Sequence, residues 1–386
     1  MNELFEQLQH DLQHGTPTAA IDRLCTALRE KKDYAALFYA LLLKKRHELG
    51  VSPVPSGATQ DLPTALHEPY ENAIREAGRL VGRLYLEQGD IPRAWVYFRM
   101  LGEPEPVAEA LEKVRPGEDE DVQSLVEIGY HHGVNPRRGF DLLLERFGIC
   151  SAITTLGGGE FPHGSEVRAY CIHRLVHALY DELYSRLAGE IERTEGKPPA
   201  EKTVRGILDS GRDDLFADDF YHIDVSHLSS VVQMSMHLSP GPELDLAREL
   251  CAYGKRLSPR FQYAGDPPFE NQYHDYAVYL DVLAGVNVEE GLAHFRTKLE
   301  NADPQEVGTA PAEVLVNLLL RVNRPGDAVA VARRHLAGAD SRMLSCPGLS
   351  ELCQRAGDYR TLAEVAREQG DAVHFLAGLL AERKAV

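Results

Sequence analysis

The chain has 386 residues, 44% of them apolar, and 59 acidic against 41 basic side chains give it a formal net charge of −18. That length allows two or three compact domains or one elongated array, and the apolar share is ordinary for a globular chain. So acidic a surface repels phosphate backbones and anionic leaflets alike, so neither nucleic acid nor a membrane is expected as a partner.

β-Branched runs alternating with polar residues do not occur in series and helical spacing is everywhere, so an all-α fold is predicted. Residues 2–13, 17–29 and 33–49 read as three amphipathic helices, forming an N-terminal region over 1–50. The third carries Ala35, Leu37, Leu41 and Leu42 and ends on Lys44, Lys45 and Arg46 before Gly50. Positive side chains suit the negative end of a helix dipole, and glycine supplies the stop. Residues 51–68, with Pro53, Pro55, Gly57 and Pro63, read as a linker or ordered loop.

Two helix pairs are predicted over 69–148, namely 69–88 with 92–101 and 121–132 with 136–148. Gly133 and Pro136 stand in the second pair where Gly89 and Pro92 stand in the first. Proline at the first helical position loses nothing, because its missing N–H had no partner to give up. Residues 149–225 break the pattern as an insertion, with Gly157-Gly158-Gly159, a long helix from about 166 to 194, and a polar stretch ending in Asp213-Asp214 and Asp218-Asp219. Over 226–386 pairs resume at 226–238 with 242–256, 273–284 with 288–300, and 312–322 with 326–337. Leu352 to Glu368 makes one more, in which Gly357-Asp358 repeats Gly89-Asp90, and 371–384 would cap the array.

These units resemble the tetratricopeptide family. The resemblance is closest at Gly82, Tyr85, Gly89, Ala94, Phe98 and Pro104, and partial at Gly326, Ala330 and Gly357. It covers roughly two-thirds of the chain in irregular form, with Gly89 and Gly133 separated by 44 residues and Gly326 and Gly357 by 31, where the family repeats at about 34. It implies a solenoid of helical hairpins, whose first helices line a concave groove that holds a peptide or partner helix. An insertion such as 149–225 would project from that face or fold into it.

Sixteen histidines are many for this length, and seven of them lie between 163 and 274. His173 and His177 are spaced i,i+4 on the long helix, close enough to share one metal, with Asp181 one turn further on. The zinc-peptidase signature needs Glu directly after the first His, and Arg174 stands there instead. Next comes Tyr221-His222-Ile223-Asp224-Val225-Ser226-His227, where Asp224 is either a carboxylate between two histidines or an ordinary helix cap. A third segment, Gln262 to Tyr276, gathers Tyr263, Glu270, Tyr273, His274 and Tyr276. An offset of 46 residues between Leu246-Ala247 and Leu292-Ala293 puts His227 and His274 at near-equivalent places on adjacent first helices. The tyrosines serve either as groove lining or as core packing.

The expected function is a tetratricopeptide-like scaffold that binds a protein or peptide in a groove lined by Tyr221, Tyr263, Tyr273 and Tyr276. The alternative is a metal-dependent hydrolase or lyase with its site in residues 160–275. There His173, His177, His222, His227 and His274 would hold a divalent metal such as zinc, with Asp224 or Glu270 as base. The two differ in whether the histidines converge on one pocket.

The chain shows no Walker lysine behind its glycine run and no G-x-S-x-G nucleophile elbow. The first residues, Met1 to His14, lack the apolar core of a secretory signal, and no apolar run approaches the roughly 18 residues of a membrane span. Six scattered cysteines (Cys25, Cys150, Cys171, Cys251, Cys346 and Cys353) argue against a disulfide framework or a Cys-rich zinc site. A reducing cytoplasm is the expected location.

Overall fold

The structure, a computed structural model, describes residues 2–54, 62–158 and 161–385, so residues 55–61 of the linker, Gly159 and Glu160 lie outside the described residues. Among the described residues every regular element is helical and there is no strand. The chain divides into two compact units, residues 1–152 with 162–167, and residues 153–161 with 168–386.

The first unit opens with α1 (Asn2–His14), α2 (Pro17–Glu30), α3 (Tyr34–Glu48), α4 (His67–Glu87), α5 (Ile91–Leu101) and α6 (Glu105–Lys113), each packed on its successor. A short α7 (Gln123–Val126) runs into a wider π-helical turn, Glu127–His131, and α8 spans Pro136–Gly157. The regular helix expected over 121–132 is therefore broken in two. The reason is Gly129, which meets Gly139 so closely that a Cβ built on Gly139 would lie 2.3 Å from the Tyr130 backbone nitrogen. At Gly148, where the helix expected over 136–148 ends, the backbone leaves helical geometry at φ 78 and ψ 174, and a second helical stretch follows to Gly157.

The Gly-Asp turns explain where hairpins form. Gly89 takes φ +75, a conformation open to glycine without penalty. The Asp90 N–H then donates to the Tyr85 carbonyl at 2.9 Å, and the Asp90 carboxylate accepts the Arg93 N–H at 3.0 Å. One residue thus closes α4 and caps α5. Gly357-Asp358 repeats this geometry, with Asp358 N–H on the Cys353 carbonyl at 2.9 Å and its carboxylate on Thr361 N–H at 3.0 Å. So does Gly370-Asp371, which the sequence reading passed over. Between α2 and α3 the same turn is made with a lysine, Lys32 at φ +58, followed by the cap Asp33.

The second unit holds most of α9 (Ser165–Glu195), then α10 (Val204–Leu208), α11 (Val225–Met234), α12 (Pro242–Arg256), α13 (Gln272–Leu283) and α14 (Val288–Asn301). It continues with α15 (Pro304–Val307), α16 (Ala310–Arg321), α17 (Pro325–His335), α18 (Leu349–Ala356), α19 (Tyr359–Glu368) and α20 (Ala372–Ala385). Along α9 the residues Ile172, Leu175, Val176, Leu179, Leu183, Leu187 and Ile191 make one buried stripe at helical spacing. Each fully buried leucine or isoleucine contributes about 1.5–3 kcal/mol.

Small residues mark the tightest helix contacts. A Cβ on Gly82 would lie 2.7 Å from the Phe98 ring, one on Gly254 2.4 Å from Tyr273, and one on Gly291 2.2 Å from Val282. These contacts join α4 to α5, α12 to α13 and α13 to α14, so consecutive helices approach as closely as their backbones allow. Cys171, Cys251, Cys346 and Cys353 are buried. No described helix is long and apolar enough to cross a membrane.

Candidate functional site

The three histidine groups of the second unit stand at different places. On α9, His173 and His177 flank one carboxylate, Glu243 at the start of α12. His177 Nε2 lies 3.4 Å and His173 Nδ1 4.0 Å from Glu243 Oε1. The backbone N–H at that helix start, helped by both imidazoles, holds the Glu243 carboxyl below the usual range despite partial desolvation. Both rings are about two-fifths exposed, at 37% and 44%. Asp181 is exposed further along α9.

His222 sits against the other end of α12. Its backbone N–H donates to the Tyr253 hydroxyl at 2.8 Å and its ring Nδ1 lies 3.1 Å from the same oxygen. Glu243 and Tyr253 are ten residues apart on one helix, which separates the two groups by about 15 Å. Phe216, Phe220 and Tyr253 surround the His222 ring edge-on, with centroids 5.1–5.9 Å away. Burial in that aromatic box pushes its pKa down to about 4, only partly opposed by Glu190. A proton enters such a site only at a large desolvation cost. His222 Nε2 is buried with no hydrogen-bond partner. This imidazole is built into packing and has no open side from which to ligate an ion.

Asp224 takes the simpler of its two expected roles. It caps α11, accepting the N–H groups of Ser226 at 2.8 Å and His227 at 3.2 Å together with the Ser226 hydroxyl at 2.5 Å. Those bonds, the hydroxyl's above all, keep its carboxyl below the usual range. His227 is half-buried in the first turn of α11.

The aromatic residues split. Tyr221 and Tyr263 are exposed, Tyr221 edge-on to Phe261 at 5.0 Å. Tyr273 is fully buried against Gly254, and Tyr276 stacks on Phe269 with centroids 4.2 Å apart. Both are core residues, and burial raises the pKa of each phenol.

A third group forms between α13 and α14. Asp275 is completely buried; its Oδ1 accepts from His294 Nε2 at 2.8 Å, and its Oδ2 from Lys298 Nζ at 2.9 Å and the Asn271 N–H at 2.8 Å. Lys298 also pairs with Glu270, which is thereby committed to an ion pair. His274 is exposed beside it, its ring 5.5 Å from His294 and nearly perpendicular. Among the described residues, His274, Asp275 and His294 are the one set of three ligand-type side chains whose ligand atoms all lie within 4.8 Å of one another. Asp275 and His294 were not foreseen. The signal was available in hairpin symmetry: residues equidistant from the Gly285 turn face each other, as Gly82 and Phe98 do about Gly89-Asp90.

A separate concavity lies on the faces of α13, α16 and α18. Its volume is about 440 Å³, and Met236, His237, Tyr279, Asn317, Arg321 and Arg355 are among the residues that line it. Arg321 donates to the carbonyls of Met236, at 3.1 Å, and Leu238, which fixes its guanidinium without using a carboxylate. Asn317 donates to the Ser345 carbonyl at 3.2 Å on the same wall. Behind that wall, Ser345 is tied by N–H and hydroxyl, 2.6 Å each, to the buried Glu313 carboxylate. Comparison with protein-family models, with curated proteins and with solved structures finds no match for the chain.

Proposed function

We propose that the chain is a tetratricopeptide-like α-solenoid scaffold that binds an extended segment of a partner protein on the faces of successive first helices. The observation that supports this reading is the 440 Å³ concavity, whose lining comes from α13, α16, α18, the turn after α11 and the turn before α18. None of the named lining residues belongs to α14, α17 or α19, the helices that follow each of these in the chain. A face built only from alternate helices is the geometry in which a repeat array presents a continuous groove. Tyr221, Tyr263, Tyr273 and Tyr276 are not among its lining residues, and Tyr279 supplies its aromatic wall instead.

The chemistry of the lining defines the partner. Arg321 stands there bonded to two carbonyls, with no carboxylate among the lining residues, beside Arg355, which pairs with Glu351 at 2.6 Å, and His237, whose pKa burial lowers, in a chain whose net charge is −18. A local reversal of sign favours an acidic or neutral segment and rejects a basic one. Apolar anchors would settle on Leu320, Val314 and Pro347. No geometry favours the hydrolase or lyase reading over this one, because His173 with His177, His222 and His274 stand apart.

The test is fluorescence-polarisation binding of a library of labelled peptides, graded in acidic content, to the full chain and to Arg355→Glu. Binding that rises with acidic content and weakens at least tenfold in Arg355→Glu supports the reading. Affinity that is flat across the library, or unchanged in the variant, removes it.

A further inference from the structure

We propose that His274, Asp275 and His294 form a binding site for one divalent transition-metal ion of the zinc class, independent of the partner groove. The donor set is two imidazoles and one carboxylate, which suits zinc, cobalt, nickel or copper far better than calcium or magnesium. Three protein ligands leave a coordination position open, as in metal sites that hold water or a substrate atom.

The geometry assembles these donors without a loop. His274 and Asp275 sit in the first turns of α13 and His294 lies on α14, two helices locked by the contact of Gly291 with Val282. The ligand atoms fall within 4.8 Å of one another, and the Asp275 to His294 separation is 2.8 Å. Tetrahedral zinc places its ligand atoms roughly 3.3 Å apart, inside that range. A metal ion would replace the proton now shared between His294 Nε2 and Asp275 Oδ1.

The surroundings supply what a metal site needs beyond its ligands. Lys298 and the Asn271 N–H grip Asp275 Oδ2 and so aim Oδ1 at the imidazole, the orienting role that outer hydrogen bonds play around metals. Charge also favours a cation. Glu270 and Asp275, two carboxylates, face the single ammonium of Lys298. Access is open on one side, because His274 is exposed while Asp275 is not.

The test uses the full chain stripped by chelator, titrated with cobalt(II) and read by its visible d–d absorption, then with zinc in competition against a chromophoric chelator. The variants are His294→Ala, the exposed-site His274→Ala and, as a control elsewhere, His173→Ala/His177→Ala. Folding of each is checked by circular dichroism. The expected result is one ion per chain, affinity lowered at least tenfold in each of the first two variants, and no change in the control. Binding below one ion per chain, equal affinity in His274→Ala, or loss in the His173/His177 control would each overturn the assignment. Peptide binding by Arg355→Glu is a separate readout, so this site and the groove stand or fall independently.

Discussion

Replacing Gly254 by alanine puts the close packing of α12 on α13 to a direct test. The added Cβ would meet Tyr273 at 2.4 Å from Cδ1, 2.5 Å from Cγ and 2.7 Å from Cε1, where ordinary carbon contacts lie at about 3.5–4.0 Å. The ring has no room to turn away, since Tyr273 is fully buried. Relief therefore requires the helices to part, an overpacking cost near the upper end of the usual range, about 3 kcal/mol. Alanine returns about 1 kcal/mol through helix propensity and a less flexible unfolded chain, leaving a net loss of about 2 kcal/mol. Gly189 is the control: it lies inside α9, exposed, with nothing within 4 Å of a built Cβ. There the same substitution should stabilise by about 1 kcal/mol. Both positions belong to the second unit, so one calorimetric transition reads both. Gly254→Ala should lower its midpoint by roughly 4–8 °C and Gly189→Ala raise it by roughly 2–4 °C. If Gly254→Ala melts at or above the parent temperature, the packing argument is wrong.

Three further predictions follow from single residues. His222, ordinarily near 6.5 and held at about 4 in the folded chain, is neutral in both states above pH 6.5. As pH falls towards 4 only the unfolded chain takes up the proton, so stability drops by about 3 kcal/mol across that window. His222→Phe should flatten the slope of urea midpoints there, and an unchanged slope would remove His222 as its source. Lys32 holds φ +58 where its counterparts are glycines, so Lys32→Gly should raise first-unit stability by about 0.5–1 kcal/mol despite glycine's entropy. A lower urea midpoint would show that the bond from Lys32 Nζ to Gln88, 2.5 Å long, matters more. The Tyr273 hydroxyl is buried without a partner, and Tyr273→Phe should leave the thermal midpoint equal or higher; a drop of more than about 1 kcal/mol in a denaturant titration would mean the hydroxyl is satisfied in solution.

Helices and turns were readable because their signals are local. Gly89-Asp90, Gly357-Asp358 and the helix-starting prolines each act within a few residues of themselves, so the sequence carries their geometry in one place. The π-helical turn at Glu127–His131 was not readable, because it answers to Gly139 across a hairpin. The same limit governed the sites. His173 and His177 were visible as a pair, but their carboxylate, Glu243, arrives from 66 residues further along. Asp275 looks like any acidic residue in a first helical turn, where negative charge suits the dipole. Only the α13–α14 hairpin gives it His294 and Lys298. His222 announced itself as a ligand by residue type, and Phe216, Phe220 and Tyr253 made it a packed, uncharged ring instead.

The Gly-Asp turn also bears on how the chain comes apart. Each such turn closes and caps its hairpin from residues lying within about one helical turn on either side, and the helices it joins then pack mainly on their chain neighbours. Contacts of such short reach form quickly and need little loop closure. They also let one hairpin open while the next stays shut. Amide exchange should therefore proceed in blocks bounded by Lys32-Asp33, Gly89-Asp90, Gly357-Asp358 and Gly370-Asp371, with the terminal hairpin of α19 and α20 exchanging ahead of its neighbours.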